Sequence, residues 1–219
     1  YSYYLYQTKN FPWEDPPQPK LPNLQQSVLD VATGLAGFSR IYSWPENFPQ
    51  LMLSDSDPFI MSGLSHFLEL TKKKNVVLMK ADFPTKPPQG MKFGFIMVNK
   101  FLHHLQRSDR VNFLKWSMGV LESDGVLEIL DTDLEHYIVE QSEQPEFKNK
   151  LTVGYLKTLV EIEGDYTDTL KIDVQGVGFR ITHFDCRNYC DETDAFSQNQ
   201  GDILSLKFKG LEIVAEKSA

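Results

Sequence analysis

Short apolar runs, recurring between stretches of helical period and turn residues, limit this chain more than any other feature. VLDV (28–31), LMLSD (51–55), VVLM (76–79), FGFIMV (93–98) and VLEILD (126–131) are too short for helices and too uniformly apolar for a half-solvated sheet. Such runs suit strands buried on both faces of a mainly parallel sheet. The segments between them carry helix signals. Asp57 can cap and Pro58 can occupy the first turn of a helix running to about Lys73, with Lys72, Lys73 and Lys74 facing its negative end. Ser108-Asp109 predicts the start of a helix that carries Val111, Leu114, Met118 and Leu121 on one face and ends before Gly125. Leu151, Leu156, Leu159 and Val160 predict another, stopping near Gly164. GFRITHFDC (178–186) and ILSLKFKGLEIVAEK (203–217) have no long helical period and predict an antiparallel hairpin with an insertion between its strands. The expected architecture is one α/β domain over residues 24–219, with helices on both faces of the sheet and a reversed edge strand in the last hairpin. Residues 1–23, aromatic and then rich in proline (Pro12, Pro16, Pro17, Pro19, Pro22), predict an extended arm.

Composition narrows the function classes. The 219 residues are 41% hydrophobic and 24% charged, an ordinary globular mixture. With 22 basic against 30 acidic side chains the net charge is −8, a poor match for a surface that grips phosphate backbones. Lys72 to Lys74 is too short a basic run to change that. We therefore expect no nucleic-acid partner. Two cysteines, Cys186 and Cys190, make no disulfide framework and lack the second ligand pair of a zinc site, so a reducing, cytoplasmic compartment is expected. No run reaches 18 uninterrupted apolar residues, and none of the first 15 residues forms a basic region followed by an apolar one, so no membrane association is expected. The opening Tyr1, in place of Met, suits a processed or excised piece.

The segment VLDVATGLAGFSR (28–40) carries the most chemistry. A strand ends in Asp30 and passes through small residues into a helix, which lets a ligand approach backbone N–H groups at a helix N-terminus. The spacing is not the G-x-G-x-x-G of a nicotinamide-binding turn. It resembles instead the cofactor motif of class I S-adenosylmethionine-dependent methyltransferases, with Asp30 and Gly34 in place and Ala32 and Ala36 standing where outer glycines are usual. The resemblance runs from about residue 26 to the C-terminus and implies a Rossmann-like methyltransferase fold with S-adenosylmethionine as cofactor. On it, Asp55 accepts hydrogen bonds from the ribose hydroxyls, Asp82 contacts the adenine amino group, Phe83 covers the ring, and Asn99 joins the cofactor set at the end of strand four. Taken singly, Asp55 also suits a helix cap and Phe83 also suits the core.

NKFLHHLQRSDRVNFLKWSMGVLESDGVLEILD (99–131) is similar to the region after strand four in small-molecule methyltransferases, among them O-methyltransferases with a histidine base. That likeness puts His103 at the base position with Asp131 orienting it. It implies methyl transfer to a small molecule, an oxygen nucleophile in first place. His104 and Gly94 stand where acidic residues are usual, and paired histidines also serve as packing residues. An inactive cofactor-binding or interaction domain is the alternative. His103, His104, Asp131, Asp133 and His136 do not by themselves specify a metal site, because hard cations need converging oxygens, and no metal is expected. The aromatic arm (Tyr3, Tyr4, Tyr6, Phe11, Trp13), the segment after strand four and the insertion at about 184–200 are the places expected to meet substrate.

Overall fold

The computed structural model describes residues 26–83, 88–133, 166–191 and 206–217, except the side chains of 132–133, 187–191 and 206–210. The expected arm, the helix expected over 151–164 and residues 192–200 of the insertion lie outside them. Seven strands form one sheet: β1 (Val28–Val31), β2 (Leu51–Asp55), β3 (Val76–Lys80), β4 (Phe93–Asn99), β5 (Leu121–Asp133), β6 (Phe179–Asp191) and β7 (Leu206–Lys217), in the order β3-β2-β1-β4-β5-β7-β6. Strands β1 to β5 pair parallel, and β7 runs antiparallel to both β5 and β6. The reversed strand is therefore β7, one in from the edge, where the sequence suggested an edge strand. The edge belongs to β6, which extends through residues 184–191 of the expected insertion.

Each parallel strand is apolar on both sides because each side meets helices. Helices α1 (Ala36–Ser43) and α2 (Pro58–Thr71) cover one face, where Ile41 and Leu64 pack with Val28, Leu51, Leu53, Phe95 and Met97. Helices α3 (Arg107–Val120) and α4 (Tyr166–Gly176) cover the other, where Phe113, Leu114, Tyr166, Leu170 and Val174 pack with Leu29, Val31, Ile96, Val98 and Ile129. Burying such side chains contributes roughly 1.5–3 kcal/mol each relative to exposure.

The helix signals hold in kind and shift in detail. Asp57 caps α2 by accepting the Phe59 N–H at 2.7 Å, and Pro58 opens the helix. The helix stops at Thr71 because Lys72 turns left-handed at φ 55°. Lys73 serves the neighbouring helix, donating to the carbonyl of Trp44 at the C-terminus of α1 (2.8 Å). Helix α3 starts at Arg107 after Gln106, which puts Ser108 and Asp109 inside its first turn, not at the cap; Asp109 still complements the helix dipole there. Helix α4 was not anticipated from the sequence. Gly94 explains itself sterically, since an added Cβ would lie 2.1 Å from Oε1 of Gln26. It sits at the amino end of β4, away from the carboxyl edge where the site residues gather.

Candidate functional site

The strand order reverses direction at β1, with β2 on one side and β4 on the other, so a crevice opens at the carboxyl ends of these central strands. Residues from both sequence segments meet this edge. Two of the three non-glycine residues at positive φ among the described residues lie there, Ala32 (51°) after β1 and Lys100 (49°) after β4. Strained backbone concentrates where function over-determines geometry.

The loop after β1 is held by contacts at three residues, Asp30, Asp55 and Gly37. Asp30 is buried against the α1 face, accepts the Thr33 hydroxyl at 2.9 Å and lies 3.5 Å from Nε of Arg40 on α1. Burial pushes its carboxyl above the usual range, and Arg40 opposes that rise. Gly34, at φ 52°, donates its N–H to Oδ2 of Asp55 at 2.8 Å, while the Asp57 N–H donates to Oδ1 at 2.9 Å. Asp55 thereby ties the loop to the end of β2. Gly37 supplies the close packing that lets α1 start there: an added Cβ would meet Leu64 Cδ2 at 2.8 Å and Thr33 Cγ2 at 3.1 Å. Sequence reasoning missed Gly37, whose signal is a glycine in the first turn of a helix. Ala36 lies inside α1, where alanine is favoured, so its departure from glycine costs nothing. Ala32 is different. A left-handed alanine costs roughly 1–2 kcal/mol, and the extra unfolded-state freedom of glycine returns about 0.5–1. Ala32→Gly is expected to stabilise the chain by ~0.5–1 kcal/mol in urea unfolding; a loss of stability would show that the turn is not strained.

The remaining cofactor candidates separate. Asn99 ends β4 half-buried, beside Leu130 of β5. Asp82 is exposed just after β3. Phe83 is buried, its ring centroid 4.9 Å from Trp116 and 5.7 Å from Phe113 on α3, so its ring is committed to the core and is not offered as a cover.

His103 and Asp131 meet. His103 lies in a one-turn 3-10 helix, Leu102–His104, that follows β4, and Asp131 lies near the end of β5. The side chain of Asp131 is fully enclosed; its Oδ1 pairs with His103 Nδ1 and its Oδ2 accepts the His103 backbone N–H at 3.1 Å. Nδ1 donating to the carboxylate leaves Nε2 as the ring nitrogen that can accept a proton. Tyr166 of α4 adds a third donor, its hydroxyl bonding Oδ2 of Asp131. The His104 ring lies 3.9 Å from the His103 ring, and burial, then His103, hold its imidazole below the usual histidine value. Among the described residues no group of three or more His, Cys, Asp or Glu side chains is arranged for a metal ion. Cys186 is an exposed thiol on β6. No helix among the described residues is long and apolar enough to cross a membrane.

No family model matches the chain, and no curated protein matches it by sequence. Solved structures do. A candidate methyltransferase from Bacillus halodurans aligns over 90% of this chain and 94% of its own at a TM-score of 0.64 and 16% identity. A TehB-like S-adenosylmethionine-dependent methyltransferase from Corynebacterium glutamicum aligns over 90% and 82%, with a TM-score of 0.55 and 14% identity. Phosphoethanolamine N-methyltransferase 2 of Haemonchus contortus, in complex with S-adenosyl-L-methionine, aligns over 90% of this chain and 50% of its own, with a TM-score of 0.61 and 14% identity. The chain has the Rossmann-like fold of S-adenosylmethionine-dependent methyltransferases.

Proposed function

We propose that this chain binds S-adenosylmethionine at the β1–β2 edge and transfers its methyl group to a small-molecule hydroxyl, with His103 as general base. The observation that carries the reading is the joining of two constellations on one sheet edge: the Asp30–Gly37 loop tied to Asp55, and the His103–Asp131 pair. The loop suits the cofactor. Among the described residues a Cβ at Gly34 would meet only the Ala32 carbonyl, at 3.9 Å, so they leave room beside the turn for ligand atoms. Asp55 uses each oxygen once, and a carboxylate oxygen has a second lone pair for a ribose hydroxyl. Leu35 and Phe59, 47% and 86% exposed, offer apolar surface at the loop and at the start of α2, and Phe59 takes the ring-cover role in place of Phe83. Asp82 and Asn99 complete the cofactor set.

Bound S-adenosylmethionine supplies an electrophilic sulfonium methyl group. The chain aligns the two reactants, excludes water and takes one proton. His103 Nε2 receives that proton from the acceptor hydroxyl, and Asp131 stabilises the imidazolium that results. The aromatic arm and the insertion remain the proposed substrate contacts, the acceptor a small molecule and not nucleic acid, and the compartment the cytoplasm. Calorimetric titration with S-adenosylmethionine tests cofactor binding, and a panel of small phenols and alcohols tests transfer. Asp55→Ala is expected to weaken cofactor binding by about 1.5–3 kcal/mol, the scale of a charged hydrogen bond. Unchanged affinity in a folded variant would remove Asp55 from the site. Both Asp55 oxygens already hold backbone N–H groups, an observation that favours a second reading in which the loop is purely structural and the domain inactive; absence of cofactor binding in the parent would select it.

A further inference from the structure

Behind the His103–Asp131 pair lies a buried chain of groups that the methyl-transfer reading does not use. The Tyr166 hydroxyl donates to Oδ2 of Asp131, and Tyr166 is 1% exposed. The Arg110 guanidinium from α3 stacks over the Tyr166 ring with its carbon 4.8 Å from the centroid, and Arg110 is 2% exposed. Its hydrogen bonds are long, 3.3 Å from Nη1 to the Leu105 carbonyl and 3.5 Å from Nη2 to the Thr169 hydroxyl. Its Nε is buried with no partner among the described residues. A buried cation with so little direct compensation draws on the negative face of the ring beneath it. The same cation withdraws electron density from the phenol and makes its hydroxyl a stronger donor.

We infer that Tyr166, backed by Arg110, is a positioning residue that sets the proton affinity of His103 through Asp131; the inference rests on the reading of His103 as a base. Asp131 takes donors from His103 Nδ1, the His103 backbone and Tyr166. Each donation spreads the carboxylate charge and lowers its pull on the proton of His103. The Tyr166 hydroxyl thus shares the carboxylate charge with the Nδ1–H of His103. Without the Tyr166 hydroxyl the charge concentrates on Nδ1–H and favours the imidazolium, so the titration midpoint rises. Charged and titratable groups that face His103 include His104 from the same turn, Asp131 from β5, Tyr166 from α4 and, through Tyr166, Arg110 from α3. None but Tyr166 has a hydroxyl that Tyr→Phe removes without changing charge.

The experiment is an NMR titration of the histidine ring signals in the full chain, with His103 assigned by its loss in His103→Gln. Tyr166→Phe is expected to raise the His103 midpoint by about 0.5–1 pH unit, and Arg110→Met to shift it in the same direction by less. Replacing tyrosine with 3-fluorotyrosine, a more acidic phenol of nearly the same shape, is expected to lower it, which keeps the test decisive should either variant fail to fold. An unmoved midpoint in Tyr166→Phe, or an unmoved or raised one in the fluorinated protein, overturns the inference and leaves Tyr166 a packing residue. The titration needs neither cofactor nor acceptor, so its outcome is separate from that of methyl transfer. Where the parent turns over, the acid limb of kcat/KM should move with the midpoint, which a merely structural role would not produce.

Discussion

His103→Gln is expected to lower kcat by about 10²- to 10⁴-fold while leaving affinity for S-adenosylmethionine close to the parent's. The separation follows from where the parts lie. His103 stands on the turn after β4 and is tied to β5 through Asp131, whereas the loop proposed for the cofactor is tied to β2 through Asp55. Glutamine keeps an N–H group for the carboxylate but has no nitrogen that can take a proton near neutral pH. Turnover measured with a hydroxyl acceptor, beside calorimetric affinity and melting temperature, separates the roles. Near-parental turnover excludes the base role, and a loss of cofactor affinity or of stability alone marks a packing histidine. Should His104→Gln lose turnover while His103→Gln retains it, the base is the other ring, which lies exposed beside the first.

The strands were legible because parallel strands covered on both faces must be apolar at consecutive positions, and VLDV and FGFIMV have no other economical use. The positions of Asp30 and Asp55 at the carboxyl edge were legible, because Asp55 ends its run and Asp30 stands one residue before the end of its own. The pairing of His103 with Asp131 was expected from the family resemblance alone; the residues are 28 apart and meet because β4 and β5 pair in parallel with Asn99 beside Leu130. Other contacts that depend on packing left no such sign. The positive φ of Ala32 leaves no mark in an alanine, and the packing of Gly37 depends on Leu64 from another helix. Helix α4 did leave a trace: Tyr166, Leu170 and Val174 recur every fourth residue and are buried. Ile172, 60% exposed on the opposite side, blurs that stripe, and with 11 residues the helix is too short to announce itself by period alone. The placement of Phe83 turned on the same limit, because a ring after β3 can turn toward a ligand or toward α3, and only the presence of Phe113 and Trp116 decides it.

Glu128→Gln is expected to stabilise the chain by about 3 kcal/mol at pH 8 and by little at pH 4. Glu128 lies on β5 in register with Met97 of β4, which is itself in register with Asp30 of β1, so the two carboxyls share the face covered by α1. It is 9% exposed, and its carboxyl is pushed up to about 7, chiefly by burial; Arg40 opposes the rise while Glu212 and Asp30 add to it. A carboxyl whose folded value exceeds its unfolded value of 4.5 binds more protons in the folded state between the two, so stability falls as pH rises from 4.5 to about 7 and stays reduced above. Glutamine resembles the protonated acid and cannot ionise, which removes this loss. Asp30, also raised by burial, slopes the same way at its own position, and because its charge acts on Glu128 the variant relieves it in the same direction. Urea unfolding of both proteins across pH 4 to 8 gives the result directly, and in thermal unfolding about 3 kcal/mol corresponds to roughly 6–12 °C for a domain of this size. A stability difference that does not grow with pH would show that Glu128 ionises as readily in the folded protein as in the unfolded chain. In that case Arg40 must offset burial, and the guanidinium that pairs with Asp30 would be serving both carboxylates, joining the cofactor loop to β5 through one charge.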